Sequence, residues 1–164
     1  MISKITVTDY IKNLLKKLIY GERSAHKLAL SFAIGIYIAF SPYIGFHNIM
    51  VFLFSWLLGL NTLTTFAVAH INNPLTTIPV LASCYKFGDW IVKSLCGITF
   101  KFTNPEWINF LNGKLTYYLG VPKICFWTFF IGANILGLLL AFLFYPLMKY
   151  VFDKLINEHN FNNV

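Results

Sequence analysis

From Arg23 to Gly88 the chain carries no acidic residue, and this apolar half is interrupted twice by a polar residue followed by proline, at Ser41-Pro42 and Asn73-Pro74. The pieces between the breaks are short. Leu28 to Phe40 reaches only about 20 Å at the helical rise, against a bilayer hydrocarbon core of about 30 Å. Phe46 to Leu60 is similarly short. The pattern then recurs: Leu63 to Ile71 is apolar, Asn72 to Pro74 interrupt, and Leu75 to Tyr85 resume. Two interrupted hydrophobic units therefore dominate the chain, as a weak internal echo.

An aqueous fold cannot hide this much apolar surface. Hydrophobic residues make up 57% of the 164 residues and charged ones 12%, where soluble domains carry roughly a quarter charged. The expectation is an integral membrane protein with room for one small domain. The net charge of +7 comes from Lys and Arg that flank apolar runs and form no groove-like cluster. It fits an anionic membrane surface rather than nucleic acid. Cys84, Cys96 and Cys125 are odd in number and scattered, which gives neither a disulfide framework nor a zinc pattern. The first twenty residues, MISKITVTDYIKNLLKKLIY, lack an apolar core followed by a small-residue cleavage site and do not read as a signal peptide.

Residues 1–23 read as a basic amphipathic segment. Tyr10, Ile11, Leu14, Leu15, Leu18 and Ile19 share one face of a helix over Thr8–Tyr20, with Lys12, Asn13, Lys16 and Lys17 on the other. Such a helix either lies on an anionic leaflet or packs on the rest of the protein. Lys4, Lys12, Lys16, Lys17, Arg23 and Lys27 precede the first apolar run, so the positive-inside rule places the N-terminus of a multi-pass membrane protein in the cytoplasm. Residues 24–102 form the membrane core with two broken helical units. Residues 103–120 look interfacial, with Asn104 as cap and Pro105 in a first helical turn. Residues 121–150 contain the one run long enough to span unaided, Ile124 to Leu147, and 151–164 read as a polar tail, helical at first. The fold class expected is an all-α integral membrane protein: an N-terminal amphipathic helix, two Pro-interrupted units that are re-entrant or kinked, and one full C-terminal transmembrane helix.

Ser and Asn are preferred N-caps, and proline is tolerated at the first helical position, where its missing N–H has no partner to lose. On this grammar Ser41 and Asn73 each start a new helix inside an apolar region. A helix start exposes unpaired N–H groups and the positive end of the helix dipole. Two starts meeting within a membrane make an anion site, a device of discontinuous transporter helices. The plainer alternative is that Pro42 and Pro74 kink two spanning helices. The residues expected to line the site are Ser41, Pro42, Gly45, His47, Asn48, Asn72, Asn73, Pro74 and Thr76, with Asn61, His70 and Thr77 close by in sequence. Polar residues at membrane depth default to function, although some act as helix–helix glue, the role expected of Asn134.

No metal or cofactor is expected, because His47 and His70 lack a nearby carboxylate or cysteine as third ligand. The absence of acids also removes an Asp/Glu proton relay, so any coupled proton falls to His47 or His70. There is no G-x-S-x-G, P-loop or H-E-x-x-H motif, and the chain does not read as an enzyme.

The stretch AIGIYIAFSPYIGFHNIMVFLFSWLLGLN followed by INNPLTTIPVLASCYKFG resembles the bacterial membrane-protein family called domain of unknown function 2062. Gly35, Pro42, Gly45, His47, Asn61, Asn73, Pro74, Leu75, Thr76 and Gly88 match its pattern in order, over about Ala25 to Gly88. Gly59 stands where relatives often carry a basic residue, and Tyr37 where Phe is usual. Some relatives are joined to a glycosyltransferase domain that uses polyprenyl phosphate. By analogy the resemblance implies work near lipid-linked sugars, with a polyprenyl-phosphate-like lipid as a candidate ligand.

Two functions stand side by side. One is a transporter or flippase for an anionic, phosphate-bearing, lipid-like substrate held at helix N-termini. The other is a non-transporting scaffold or partner subunit for a lipid-linked glycosyltransferase system, with Gly132, Asn134 and Gly137 marking a close helix contact. The small size makes a homo-oligomer plausible in either case.

Overall fold

The computed structural model describes residues 24–43, 45–71, 74–96, 104–106, 109, 112–113, 117 and 125–161. The amphipathic reading of Thr8–Tyr20 lies outside them. Among the described residues there are helices and no strands. Five helices have defined bounds: α1 Ala25–Phe40, α2 His47–Leu58, α3 Thr62–Ala69, α4 Pro74–Cys96 and α5 Phe126–Phe161. Glu106, Asn109, Asn112, Gly113 and Tyr117 are also helical. One helix, α5, is long and apolar enough to cross a membrane, over Phe126–Asn157.

α1 begins where Ser24 accepts a hydrogen bond from the Lys27 amide at 3.3 Å, an ordinary N-cap. It ends because of Pro42. A residue before proline is driven out of the α region, and Ser41 sits extended at φ −66°, ψ 147°. Its backbone N–H donates to the Ile38 carbonyl at 3.1 Å and its hydroxyl to the same oxygen at 2.8 Å. This corrects the expectation that Ser41 starts a helix. Ser41 closes α1, and the next helix begins only at His47.

α2 then runs back beside α1. Val51 packs on Ile38, with Tyr37, Ile34, Met50 and Phe54 around them. Gly59 takes φ +60° at the C-terminus of α2, the left-handed conformation that ends many helices. The chain reverses through Leu60, and Asn61 caps α3, accepting from the Thr64 amide at 2.9 Å. The Asn61 amide itself donates to the Ser31 hydroxyl on α1 at 2.8 Å, and Ser31 in turn donates to the Lys27 carbonyl at 2.7 Å. α3 climbs parallel to α1, close enough that a Cβ on Gly35 would lie 2.7 Å from Val68 Cβ. The hairpin tip thus hangs on Asn61. Asn61→Ala is expected to lower stability by about 1 kcal/mol, the usual worth of an N-cap, read as a fall in the thermal midpoint of the detergent-purified protein.

α5 is the ruler against which the other helices are set. It is antiparallel to α1: Phe152 packs on Ala25, Leu28 and Ala29, the Tyr145 hydroxyl lies 2.6 Å from His26 Nδ1, Phe32 meets Phe144, and Gly137 abuts Tyr37 and Phe40. α4 crosses α5 at two glycines. A Cβ on Gly88 would collide with the Thr128 carbonyl, and one on Gly132 with the Cys84 carbonyl. α4 continues through Gly88 and Lys93 to Cys96. α5 likewise continues as helix through residues 151–161, with Phe152 buried. Asn104 also reaches a second helix start. Its side chain accepts from the Phe126 amide at 2.9 Å and so caps the start of α5.

Between apolar helices in lipid the hydrophobic effect supplies little, and close packing of small residues does the holding. Ala25, Ala29 and Ala33, four apart on α1, are buried accordingly. Outward faces are greasy. Phe46, Ile49, Phe52, Leu53, Trp56 and Leu57 on and before α2, and Leu138, Leu139, Phe142 and Leu143 on α5, are exposed, Trp56 by 81%. A patch of this extent does not suit water.

Candidate anion site at the start of α2

α2 starts without a cap. Its N-cap position is Phe46, which has no side-chain hydrogen bond to offer. The first amide bonded back along the helix is that of Met50, to the Phe46 carbonyl at 2.9 Å. The amides of His47, Asn48 and Ile49 are the orphan donors of the first turn, at the positive end of the helix dipole. Gly45, at φ +91°, precedes them, and a Cβ there would meet nothing within 4 Å. The backbone is open on that side.

His47, the first residue of α2, is half-buried. Its Nε2 is sealed from solvent and has no hydrogen-bond partner. The carbonyls of Ile38 and Ser41 lie beside the ring, yet neither meets Nε2 with hydrogen-bond geometry. A buried polar atom left in this state costs about 1–3 kcal/mol, so it asks for an explanation.

His70, at the C-terminal end of α3, is close enough to His47 for their charges to interact. Its Nδ1 sits 2.8 Å from the Phe66 carbonyl, and its ring stacks on Phe66 with centroids 4.1 Å apart. Since a carbonyl only accepts, Nδ1 carries the proton and Nε2 the lone pair.

The negative helix ends nearby are already engaged. The Ile38 carbonyl of α1 takes the Ser41 amide and hydroxyl. In α3 the Phe66 and Val68 carbonyls take the His70 amide, and Val68 also takes the Ile71 amide at 3.1 Å. The Ile71 carbonyl accepts from the Thr76 hydroxyl at 2.8 Å.

Of the residues expected to line a site, the structure brings Ser41 and His47 together, with Gly45 and the exposed Asn48 flanking the same helix start. His70 ties this cluster to the second break, because Ile71 follows it and holds Thr76. Pro42 is half-buried and terminates α1. Pro74 is the first residue of α4, the position where proline is at home. Asn72 and Asn73 lie outside the described residues. Ser55 was not among the expected residues. It is buried and its hydroxyl also lacks a partner. His47, Val51 and Ser55 are spaced four apart, so one helical-wheel reading of α2 puts them on the single face it buries.

Asn134 serves as glue, as expected. It accepts from the Tyr37 hydroxyl at 3.1 Å and donates to the Phe130 carbonyl at 2.9 Å. Gly132 and Gly137 do mark close helix contacts, but with α4 and α1 of the same chain. Among the described residues no three His, Cys, Asp or Glu side chains gather as a metal would need.

No curated protein and no solved structure matches the chain. A model of a family described as an uncharacterized protein conserved in bacteria matches residues 8–160. With nearly its whole length inside that match, the chain belongs to the bacterial family of domain of unknown function 2062.

Proposed function

We propose that this chain is a membrane transporter or flippase that holds a phosphate-bearing, lipid-like anion at the N-terminus of α2. The observation that carries the reading is the buried, unpartnered Nε2 of His47 beside an uncapped helix start.

Depth supports it. With α5 set across the bilayer, its charge-free stretch from Phe126 to Met148 fills the hydrocarbon. Phe40 packs on Gly137, about 16 Å along α5 from Phe126 at 1.5 Å per residue. That is about half of a 30 Å core. The break after Phe40, and with it the start of α2, then sits near the bilayer middle. α2 has 12 residues and α3 has 8, so they reach about 18 and 12 Å. Neither spans. They form a re-entrant hairpin whose tip, at Asn61, returns to the level of Ser31. Non-helical backbone at the depth of the break is tolerated only against protein or a wet hollow.

The cytoplasmic side follows from charge. Lys27, Lys149 and Lys154 belong to the end where α1 starts and α5 finishes, so the positive-inside rule places that end and the hairpin tip in the cytoplasm.

A lipid-like ligand suits the site better than a small hydrophilic anion. The first-turn amides meet the headgroup, while Phe46, Ile49, Phe52 and Leu53 offer an exposed apolar track for a tail. The scaffold alternative loses its distinguishing feature, since the face bearing Gly132, Asn134 and Gly137 is covered by α4 and α1. The test is transbilayer movement of a fluorescent phosphomonoester lipid in proteoliposomes of the purified chain. Movement faster than in protein-free vesicles is expected. Equal rates, with correctly inserted protein, contradict the proposal.

A further inference from the structure

We infer that the amphipathic stretch Thr8–Tyr20 docks its apolar face on the far end of α5, over Leu155 and Ile156, and covers a helix face that neither α1 nor the bilayer reaches. The inference goes beyond the transport reading. It shares with it only the placing of α5 across the bilayer and makes no use of the anion site.

α1 and α5 keep a steady antiparallel register: Phe40 lies by Gly137, Phe32 by Phe144 and Ala25 by Phe152. α1 begins at Ala25, capped by Ser24. α5 runs on from Phe152 to Phe161, about 14 Å further at the helical rise. This extension keeps one apolar side. Leu155 and Ile156 continue the stripe of Tyr145, Met148 and Phe152, lean on the same cluster and are left part-exposed. Asp153, Lys154 and Asn157 are exposed. The other helix packed on α5 is α4, which crosses it at Gly132, toward the opposite end.

Lipid does not cover this face. The charge-free stretch of α5 ends at Met148, and Leu155 stands about 10 Å beyond it. The headgroup layer on each side of a bilayer is only about 5–7 Å thick, so acyl chains stay below Leu155 and Ile156. The cover has to be protein, and the chain brings its own. The residues before Ser24 enter beside Ala25 and Phe152, and Leu155 and Ile156 lie one turn further, about 5 Å along α5. The link Gly21–Ser24 reaches up to about 13 Å when extended. Beyond it Ile11, Leu14, Leu15, Leu18 and Ile19 fall on one face of a helix about 20 Å long, longer than the extension it has to cover. A segment tethered this close acts at an effective concentration on the order of millimolar, which a second copy would have to match by association. Docking this way turns Lys12, Lys16 and Lys17 outward, into water.

The experiment is disulfide trapping in the full chain, with Cys84, Cys96 and Cys125 replaced by alanine, in nanodiscs containing phosphatidylglycerol, an anionic lipid that competes for a basic amphipathic helix. Ile156→Cys is paired in turn with Leu14→Cys, Leu15→Cys and Leu18→Cys on the apolar face, and with Lys16→Cys on the basic face. At least one apolar-face pair is expected to close within a single chain, and to do so about tenfold faster than the Lys16 pair. Closure mainly between two chains assigns the face to a second copy and overturns the inference. Equally slow closure from both faces overturns it in favour of the leaflet, which a spin label at Leu15 relaxed by oxygen as strongly as one among acyl chains would corroborate. Trypsin reads the same claim without the cysteine pairs. Ile156→Asp is expected to speed cleavage after Lys16 and Lys17 about tenfold or more, since losing a buried isoleucine shifts the local opening equilibrium by at least that factor. Cleavage after Lys86, within α4, is expected to stay slow, as the sign that the rest of the chain is folded. An unchanged rate after Lys16 and Lys17 overturns the docking. Neither readout involves an anion, so its failure leaves the transport proposal where it stands.

Discussion

Gly132→Val is expected to be the most damaging single substitution in the packed helices. At Gly132 the backbones of α4 and α5 touch. A Cβ there would collide with the Cys84 carbonyl and lie 2.6 Å from both Gly88 Cα and Gly88 N. A side chain pressed against another side chain can turn away, but one pressed against backbone must move a helix. Moving α4 also disturbs the reciprocal contact of Gly88 with Thr128. Overpacking usually costs about 1–3 kcal/mol and more where relaxation is blocked, so about 3 kcal/mol or more is expected here. For a chain of this size that lowers the thermal midpoint by roughly 10 °C. Gly113→Ala is the control: a Cβ at Gly113 meets nothing within 4 Å, and because the position is helical and exposed the change is expected to be neutral or stabilising by up to about 1 kcal/mol. Thermal unfolding of both variants in one detergent checks the contrast. Equal midpoints would mean that the α4–α5 crossing is looser than the geometry implies.

His47→Leu is expected to split stability from function. Leucine fills much of the space of the imidazole and carries no polar atom. Removing a buried atom without a partner relieves its desolvation cost, so the folded protein is expected to gain about 1 kcal/mol. The same change removes a charge-assisted hydrogen bond to the anion, worth about 1.5–3 kcal/mol. Oxyanion affinity is then expected to fall between about tenfold and a hundredfold. Opposite signs in the two measurements are the signature of a residue kept for ligand rather than for packing. A histidine retained only for packing would lose stability on replacement and leave binding alone.

Much of this was legible in the sequence. α1 stops at Pro42 and α4 starts at Pro74, the two places where proline sits best at a helix boundary, whereas Pro79 and Pro146 lie inside α4 and α5 without ending them. That α5 is long and apolar enough to cross a membrane followed from run length, and the Asn134 contact from the cost of leaving an amide unpaired among apolar helices. What the sequence did not carry is how helices pair. A Ser-Pro step reads equally as the end of one helix or the start of the next. Ser41 is the end, since its hydroxyl reaches back to Ile38, and local spacing could not decide that. The contact of Asn104 with the Phe126 amide was equally out of reach, because the two lie far apart in sequence. That α2 folds back along α1 depends on Ile38, Val51 and Ala69 meeting, a contact of three segments that no single periodicity contains. The face carrying His47, Val51 and Ser55 was readable as a four-residue stripe, but only once α2 was known to begin at His47 and not at Ser41.

The central claim is that the start of α2 lies deep in the bilayer while its end lies shallow. Phe46 and Leu58 are both exposed on the outside of the protein, so each tolerates a spin label in a background with the native cysteines replaced. Depth from the competing relaxation by oxygen and a polar nickel complex measures the claim directly in reconstituted vesicles. The expected result is a label at Phe46 near the bilayer middle and one at Leu58 roughly 15 Å or more nearer the cytoplasmic headgroups. Labels at equal depth, or Leu58 the deeper of the two, would contradict it.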